Sequence, residues 1–264
     1  MAKAERMRLD EALVDRNLAE TRARARALVM AGDVLVDGNV ATAAGKPVSP
    51  AQTIELKAKQ RFVSRGGEKL DHALDVFGID PAEWICADFG ASTGGFTDCL
   101  LQREASRVYA LDVGYGQLHA RIREDERVEV MEKVNVRLLE SLPEPIDLVV
   151  IDVSFISLKL VLPAARTVLK PAGYVVPLIK PQFEAGRTEI GKGGVVRDPA
   201  VHVSVIQRVI AEAAAIGFNT ASMVRSPITG PAGNIEFLAL MSRDCQMAPI
   251  ETLLSEAGFE HAPV

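Results

Sequence analysis

No apolar run in this chain approaches the roughly 18 residues of a membrane span, so no transmembrane helix is expected. The N-terminus lacks the apolar core of a secretory signal, and export is not expected either. Cysteine is scarce: Cys86, Cys99 and Cys245 stand without C-x-x-C spacing. An odd, unpatterned set argues against a disulfide framework or a zinc site, and for a reducing, cytoplasmic compartment. The four histidines are scattered and none forms H-E-x-x-H, so no metal is expected. Strong charge is missing too, since a net −5 does not advertise nucleic-acid binding. Its distribution is uneven. Residues 1–69 carry 13 Lys and Arg against 9 Asp and Glu, the remainder 17 against 26, so a basic piece precedes an acidic body.

What is present is organised around Ala87-Asp88-Phe89-Gly90-Ala91-Ser92-Thr93-Gly94-Gly95-Phe96-Thr97-Asp98. Trp84-Ile85-Cys86 before it reads as a buried strand, and Cys99-Leu100-Leu101-Gln102 after it as the start of a helix. Strand, glycine turn and helix make the first crossover of an open parallel sheet, with free helix N–H groups turned to a polar ligand. The spacing is G-x-x-x-G-G, not the G-x-G-x-x-G of dinucleotide sites. It fits the wider loop of an S-adenosylmethionine (SAM) site better. A turn that merely joins strand to helix stays open as the alternative.

Ahead of that stretch, residues 6–18 and 22–31 show helical apolar spacing, with Thr21 as N-cap and Gly32 closing the second helix. Val34-Leu35-Val36, Asp37-Gly38-Asn39 and Val40 read as strand, tight turn and strand, and Val48 with 53–56 completes a small sheet. Residues 57–62 are polar and basic and read as a linker. A helix begins near Ser64 and places Lys69 in its first turn, where a cation opposes the helix dipole. Such a local conflict is expected at a functional site. Downstream, 108–112, 128–131, 146–152 and 174–180 read as strands, 158–169 and 201–216 as helices, and 220–225 with 235–241 as a closing hairpin-like pair. This alternation predicts a doubly wound α/β sheet. The expected division is a module at 1–58, a linker at 59–63, an α/β domain at 64–247 and a tail at 248–264.

Charged residues gather where the strands end. Asp112, Asp152 and Lys180 each close an apolar strand, and ligands of open α/β sheets sit beyond those carboxyl ends. Asp112 is placed to hydrogen-bond ribose hydroxyls. Glu236 opens the last strand and shares that edge if the strand runs antiparallel, and Lys69 can reach it. Two cations and two anions at one edge read either as salt bridges capping a sheet or as a functional cluster.

The N-terminal order of elements, with Arg8-Leu9-Asp10, Thr21-Arg22, Gly32-Asp33-Val34 and Val36-Asp37-Gly38, resembles the S4 RNA-binding domain. The resemblance implies Arg6, Arg8, Arg22, Arg24 and Arg26 on RNA phosphates, which give affinity without sequence information. Lys69, Asp152, Lys180 and Glu236, in that order, resemble the Lys-Asp-Lys-Glu set of FtsJ-type ribose 2′-O-methyltransferases. Four further stretches extend the likeness: Ser64-Arg65-Gly66-Gly67-Glu68-Lys69-Leu70, Asp152-Val153-Ser154-Phe155-Ile156-Ser157, Leu178-Ile179-Lys180-Pro181-Gln182-Phe183-Glu184 and Gly233-Asn234-Ile235-Glu236-Phe237. From about Arg8 to Met241 the chain is similar to the TlyA family, also labelled hemolysin A.

The resemblance implies a Rossmann-like SAM methyltransferase sheet behind a small α+β S4 domain. It implies methyl transfer to a ribose 2′-oxygen of ribosomal RNA, cytidine being the usual target. SAM is the cofactor so implied, and ribosomal RNA or ribosomal subunits the partner. Lys69, Asp152, Lys180 and Glu236 are then catalytic. Lys180 serves as base or steering cation held by Asp152, while Glu236 and Lys69 orient the hydroxyl. Gly90, Ser92, Thr93, Gly94, Gly95 and Phe96 are expected around the cofactor. Asp112 is expected on its ribose, Asn135 by its adenine and Asp152 near its amino group.

Residues 181–197 read as a long loop with Gly186, Gly191, Gly193 and Gly194. Such loops are lids and clamps, or plain connectors. Contact with RNA is expected through Arg187 and Lys192, and through Arg65. Three rival readings remain. A non-catalytic RNA-binding factor would not need the four charged residues. A membrane-lytic protein, as the family label suggests, would want an export signal, a spanning segment or an amphipathic terminal helix. A base N-methyltransferase would carry Asp/Asn-Pro-Pro-aromatic where this chain reads Asp152-Val153-Ser154-Phe155.

Overall fold

The computed structural model describes residues 6–57, 61–186 and 188–259, in two compact units, Met1–Gln60 and Arg61–Val264. Arg187, residues 58–60 of the expected linker and 260–264 of the expected tail lie outside the described residues.

In the first unit, β1 (Met7–Arg8) leads into α1 (Leu9–Asp15), and α2 spans Arg22–Met30. The expected 6–18 helix is therefore shorter at both ends. Arg8 is extended and pairs with Pro47, and Asn17 takes a left-handed φ of 57° beyond the last turn. Thr21 caps α2 by accepting from the Arg24 N–H. β2 (Val34–Val36) and β3 (Asn39–Val40) flank Asp37 and Gly38, both at positive φ as a two-residue hairpin turn demands. β4 (Pro47–Val48) pairs with β1, and β5 (Ile54–Leu56) with β2. Leu9, Leu13, Ala25, Val29, Val34 and Val48 form the core.

The second unit is built on a seven-stranded sheet. α3 (Gly66–Phe77) precedes β6 (Ile85–Phe89), α4 (Gly95–Gln102) and β7 (Arg107–Asp112). Then come α5 (Ala120–Arg123), β8 (Val128–Glu132), β9 (Ile146–Ile151), α6 (Leu162–Val168), β10 (Leu169–Ile179) and α7 (Pro181–Glu184). α8 (Pro199–Ala215), β11 (Asn219–Arg225), β12 (Phe237–Ser242) and α9 (Ile250–Glu256) complete it. The order across the sheet is β11-β12-β10-β9-β6-β7-β8. From β8 to β10 all neighbours are parallel, while β12 runs antiparallel to both β10 and β11. The chain reverses its direction of progress between β6 and β9, which opens a crevice at the carboxyl ends of those strands. Phe89, Ile151 and Ile206 pack one face of the sheet, and Leu70, Leu100, Val108 and Val150 the other.

In the second unit three further expected elements differ. The 158–169 helix is a 3-10 turn at Leu158–Leu160 followed by α6, because Pro163 fits only the first turn of an α-helix. The 174–180 strand begins earlier, at Leu169, and absorbs Pro171 and Gly173 through a register shift against β9. The 181–197 loop opens with the one-turn α7 and carries a Gly191–Val195 bridge. Among the described residues, no helix is long and apolar enough to cross a membrane. Nor does any group of three or more His, Cys, Asp or Glu stand ready to hold a metal ion among them.

Candidate active site

Gly90 directly follows β6 with φ at 91°, and its backbone passes so close to the end of the neighbouring strand that a Cβ would lie 2.7 Å from the Asp152 carbonyl oxygen. Beside it lies a cleft of about 440 Å3, lined among others by Gly90, Ser92, Asp112, Asn135, Asp152 and Phe155. Asp112 sits at the tip of β7. Its Oδ2 accepts the Ser92 N–H at 2.8 Å and its Oδ1 the Gly114 N–H at 2.6 Å. A carboxylate has about four lone-pair positions, so acceptor capacity is left for ligand hydroxyls. Asn135 caps a 3-10 turn through its Oδ1 and keeps its side-chain amide donors.

Beside the cleft the four charged residues form two ion pairs of unequal quality. Lys69 Nζ lies 2.5 Å from Glu236 Oε2, with side chains 9% and 1% exposed. Gln182 Nε2 donates to the other Glu236 oxygen at 3.4 Å. Gly230 packs on that carboxylate so closely that a Cβ there would lie 2.6 Å from Oε1. The second pair is looser. Lys180 Nζ is 2.6 Å from Asp152 Oδ1, yet that oxygen has no aligned hydrogen bond, and Nζ donates to Ser154 Oγ at 3.0 Å. Lys180 directly follows β10, Asp152 directly follows β9, and Glu236 directly precedes the antiparallel β12. The topology thus gathers three distant chain segments at one edge, and α3 brings Lys69 to Glu236.

Asp88 lies on β6 beneath the glycine turn, fully buried. Its Oδ2 accepts from both the N–H and the hydroxyl of Thr97, while Oδ1 has no partner. Burial pushes its carboxyl up to about 7 against the Thr97 hydrogen bonds that lower it, and Asp152 and Asp112 add repulsion.

The other expected site residues separate by position. Thr93 is exposed, while Gly94, Gly95 and Phe96 are buried at the start of α4, none of the four on the cleft lining. A Cβ on Gly94 would meet Leu118 at 2.9 Å, and one on Gly95 would meet Ser64 Oγ at 2.1 Å, so both glycines serve close packing. Arg65 is exposed and donates to the Thr229 carbonyl at 2.6 Å, and Lys192 is exposed on its loop. In the first unit, Arg8 and Arg26 each reach the buried Asp10 at 2.9 Å, and Arg22 reaches it at 3.4 Å. Those guanidiniums, Arg8 first, hold the Asp10 carboxyl well below the usual range. Arg6 and Arg24 are exposed. Sequence reasoning gave no role to Ser154, Gln182, Gly230 or Asn234. All but Gly230 stand in the quoted motif stretches, but nothing in their spacing marks Ser154 and Gln182 as partners of Lys180 and Glu236, or Asn234 as a partner of the 194–196 backbone.

The FtsJ-like methyltransferase family matches residues 62–243, and the S4 domain family matches residues 7–54. A 16S/23S rRNA (cytidine-2′-O)-methyltransferase TlyA from Mycobacterium tuberculosis is 43% identical over 98% of this chain and 96% of its own. Hemolysin A from Brachyspira hyodysenteriae is 41% identical over 88% of this chain and 98% of its own. A solved hemolysin-named structure from Streptococcus thermophilus superposes with a TM-score of 0.73 at 41% identity, over 97% of this chain and 98% of that one.

Proposed function

The chain belongs to the FtsJ-like methyltransferase family, in its TlyA (hemolysin A) form with an S4 domain in front, and from that premise we propose a ribose-methylating reaction at the Gly90 cleft. It is a SAM-dependent ribosomal RNA methyltransferase acting on a ribose 2′-hydroxyl, with cytidine as the target base its relatives are named for. The observation that carries the reading is the Lys180–Asp152 pair on the rim of a cleft framed by Gly90 and Asp112. The cleft residues fit the cofactor. Gly90 lines the cleft and lets β6 approach the Asp152 backbone closely, and Asp112 retains acceptor capacity for ribose hydroxyls.

When bound, SAM supplies an electrophilic methyl group on a positively charged sulfur. Lys180 then holds the attacking ribose oxygen. Asp152 and Ser154 fix its Nζ as a donor, and of its two expected roles that arrangement favours the steering cation. A positive group beside the oxygen stabilises the negative charge that grows as the methyl passes from sulfur to oxygen and the hydroxyl proton is released to solvent. Asp152 also faces the cleft, so one carboxylate orients Lys180 and meets the cofactor's amino group. Glu236, held by Lys69, sets the ribose on the other side. In-line alignment of oxygen, methyl and sulfur supplies much of the remaining acceleration. No step assigned to these side chains calls on a metal.

Residues 1–58 are the RNA-holding module in this reading and 64–247 the catalytic domain. Arg6 and Arg24, together with the Arg8, Arg22 and Arg26 fan around Asp10, meet phosphates, and Arg65 and Lys192 meet RNA near the cleft. A ribosomal substrate makes the cytoplasm the working compartment. The test is methyl transfer from labelled SAM to ribosomal subunits by wild type and Lys180→Ala, with SAM affinity measured alongside. Turnover falls at least about 100-fold in the variant while SAM affinity stays within a few fold. Unchanged turnover overturns the assignment.

A further inference from the structure

The segment ahead of Glu236 is held by an asparagine to which the reaction above gives no part. Asn234 is 2% exposed. Its Oδ1 accepts the Val196 N–H at 3.0 Å and its Nδ2 donates to the Gly194 carbonyl at 3.0 Å. Its own carbonyl accepts the Gly230 N–H at 2.8 Å, closing the turn that presses Gly230 onto the Glu236 carboxylate. The Ser226 N–H binds the Glu236 carbonyl at 2.9 Å and completes the same turn.

On its other side Asn234 holds a small hairpin. Gly191 N donates to Val195 O, and Gly194 N to Gly191 O, both at 3.1 Å. Gly193 and Gly194 sit at φ of 81° and 74°, which lets the chain reverse, and Val195 and Val196 are buried. Lys192 is exposed at the tip. A single buried residue therefore joins a glycine hairpin with a cationic tip, through its side-chain amide, to the turn that fixes a carboxylate of the site, through its main-chain carbonyl. An aliphatic side chain at 234 would leave both the Val196 N–H and the Gly194 carbonyl without that partner.

We propose that Asn234 is a positioning residue that makes the setting of Glu236 depend on the docked 191–196 hairpin. RNA engaged by the hairpin is thereby registered with the ribose engaged by Glu236. This rests on the reading that Glu236 meets the target ribose. When the clamp is lost the hairpin undocks and the Gly230 turn relaxes off Glu236, while the Gly90–Asp112 cleft keeps its geometry.

The test uses full-length Asn234→Ala and Asn234→Asp, with rRNA methylation kinetics, SAM affinity and amide hydrogen exchange of the 191–196 segment. The aspartate keeps an acceptor for Val196 N–H and sets a second oxygen against the Gly194 carbonyl. In both variants exchange at 194–196 accelerates at least about 10-fold, kcat falls roughly 10- to 100-fold, and SAM affinity stays within about threefold. Lys192→Ala raises KM for RNA in the wild type and adds little on top of Asn234→Ala, because the hairpin is already undocked. Three results overturn the proposal: faster exchange with wild-type kcat, unchanged exchange, or loss of SAM binding in both variants, which would make Asn234 a general support of the fold. Wild-type protein that methylates no ribosomal RNA would sink the reading of the reaction instead, and the exchange measurement would still report on the clamp.

Discussion

The Lys69–Glu236 pair permits a quantitative test. Both side chains are almost wholly removed from water, with Lys69 Nζ on Oε2 and Gly230 packed against Oε1. Lys69→Met therefore strands a buried carboxylate whose remaining side-chain partner is Gln182 at 3.4 Å. Breaking a buried pair from one side costs about 3–5 kcal/mol. For a domain of this size each kcal/mol is worth about 2–4 °C, so the melting point falls by about 6–20 °C. Glu236→Gln is milder, about 1–3 kcal/mol, because an amide oxygen can still accept from Lys69. The double variant leaves no net buried charge and is more stable than Lys69→Met by about 2 kcal/mol. Trp84 is the only tryptophan and lies in the second unit, stacked on Tyr174, so its fluorescence under urea reports that unit alone. All three variants lose methyl transfer. A cost below about 1 kcal/mol for Lys69→Met, or a double variant no better than it, refutes the buried coupling. A double variant with full turnover would refute the catalytic placement of the pair.

Gly90→Ala puts a methyl 2.7 Å from the Asp152 carbonyl at a φ of 91° that alanine resists, and SAM affinity by calorimetry falls at least about 10-fold; unchanged affinity refutes the close approach. The raised Asp88 carboxyl, about 7 in the folded chain against an ordinary 3.8, gives stability that is full below pH 3.8 and lost as pH rises through 7. The urea midpoint of the second unit therefore declines across that window, and Asp88→Asn flattens the decline; identical pH profiles for the two proteins would contradict it. Asp10 works with the opposite sign. Its lowered carboxyl stabilises the first unit above the usual carboxylate range, and that support is lost as pH falls. Asp10→Ala frees three guanidiniums from their common anchor, accelerates amide exchange in Leu9–Asp15 and Arg22–Met30, and weakens RNA binding several-fold at constant salt. Unchanged exchange and affinity would show that the fan is ornamental.

Much of this site was legible because the sheet is parallel and buried. An apolar run that stops at a charge, as at Asp112, Asp152 and Lys180, marks the carboxyl end of a strand, and those ends share one edge. Gly90 was legible as the turn that follows β6, where its φ of 91° calls for a glycine. Glu236 depended on strand direction, which the antiparallel pairing of β12 with β10 resolves. The charges alone did not fix who pairs with whom; the resemblance implied Asp152 for Lys180, and the structure agrees. Four charges at an edge admit several pairings, and register selects Asp152 for Lys180 and Lys69 for Glu236. Glycine roles were equally hidden: Gly94 and Gly95 look like ligand-cradling positions, yet Leu118 and Ser64 fill the space their side chains would need. Asp10 was read as part of a resemblance, not as the buried anchor of three arginines, because no spacing rule reports burial. The 158–169 and 174–180 boundaries slipped for local reasons, a proline that can only begin a helix and a strand that tolerates Pro171 through a shift of register.

The inequality of the two ion pairs has a chemical meaning. A lysine locked into a tight, dehydrated pair cannot turn its charge toward a substrate without losing its partner, at a cost of several kcal/mol. Lys69 is in that position, which makes it a support for Glu236. Lys180 is held instead by a misaligned carboxylate oxygen and a neutral hydroxyl. Exchanging the Ser154 hydroxyl for a ribose hydroxyl replaces one neutral acceptor by another and leaves the Asp152 attraction in place. The cation that can meet the attacking oxygen at least expense is therefore Lys180. Ser154→Ala removes the competing acceptor and leaves Nζ poised, so turnover survives in that variant while Lys180→Ala abolishes it. The reverse order of severity would exchange the roles of the two lysines.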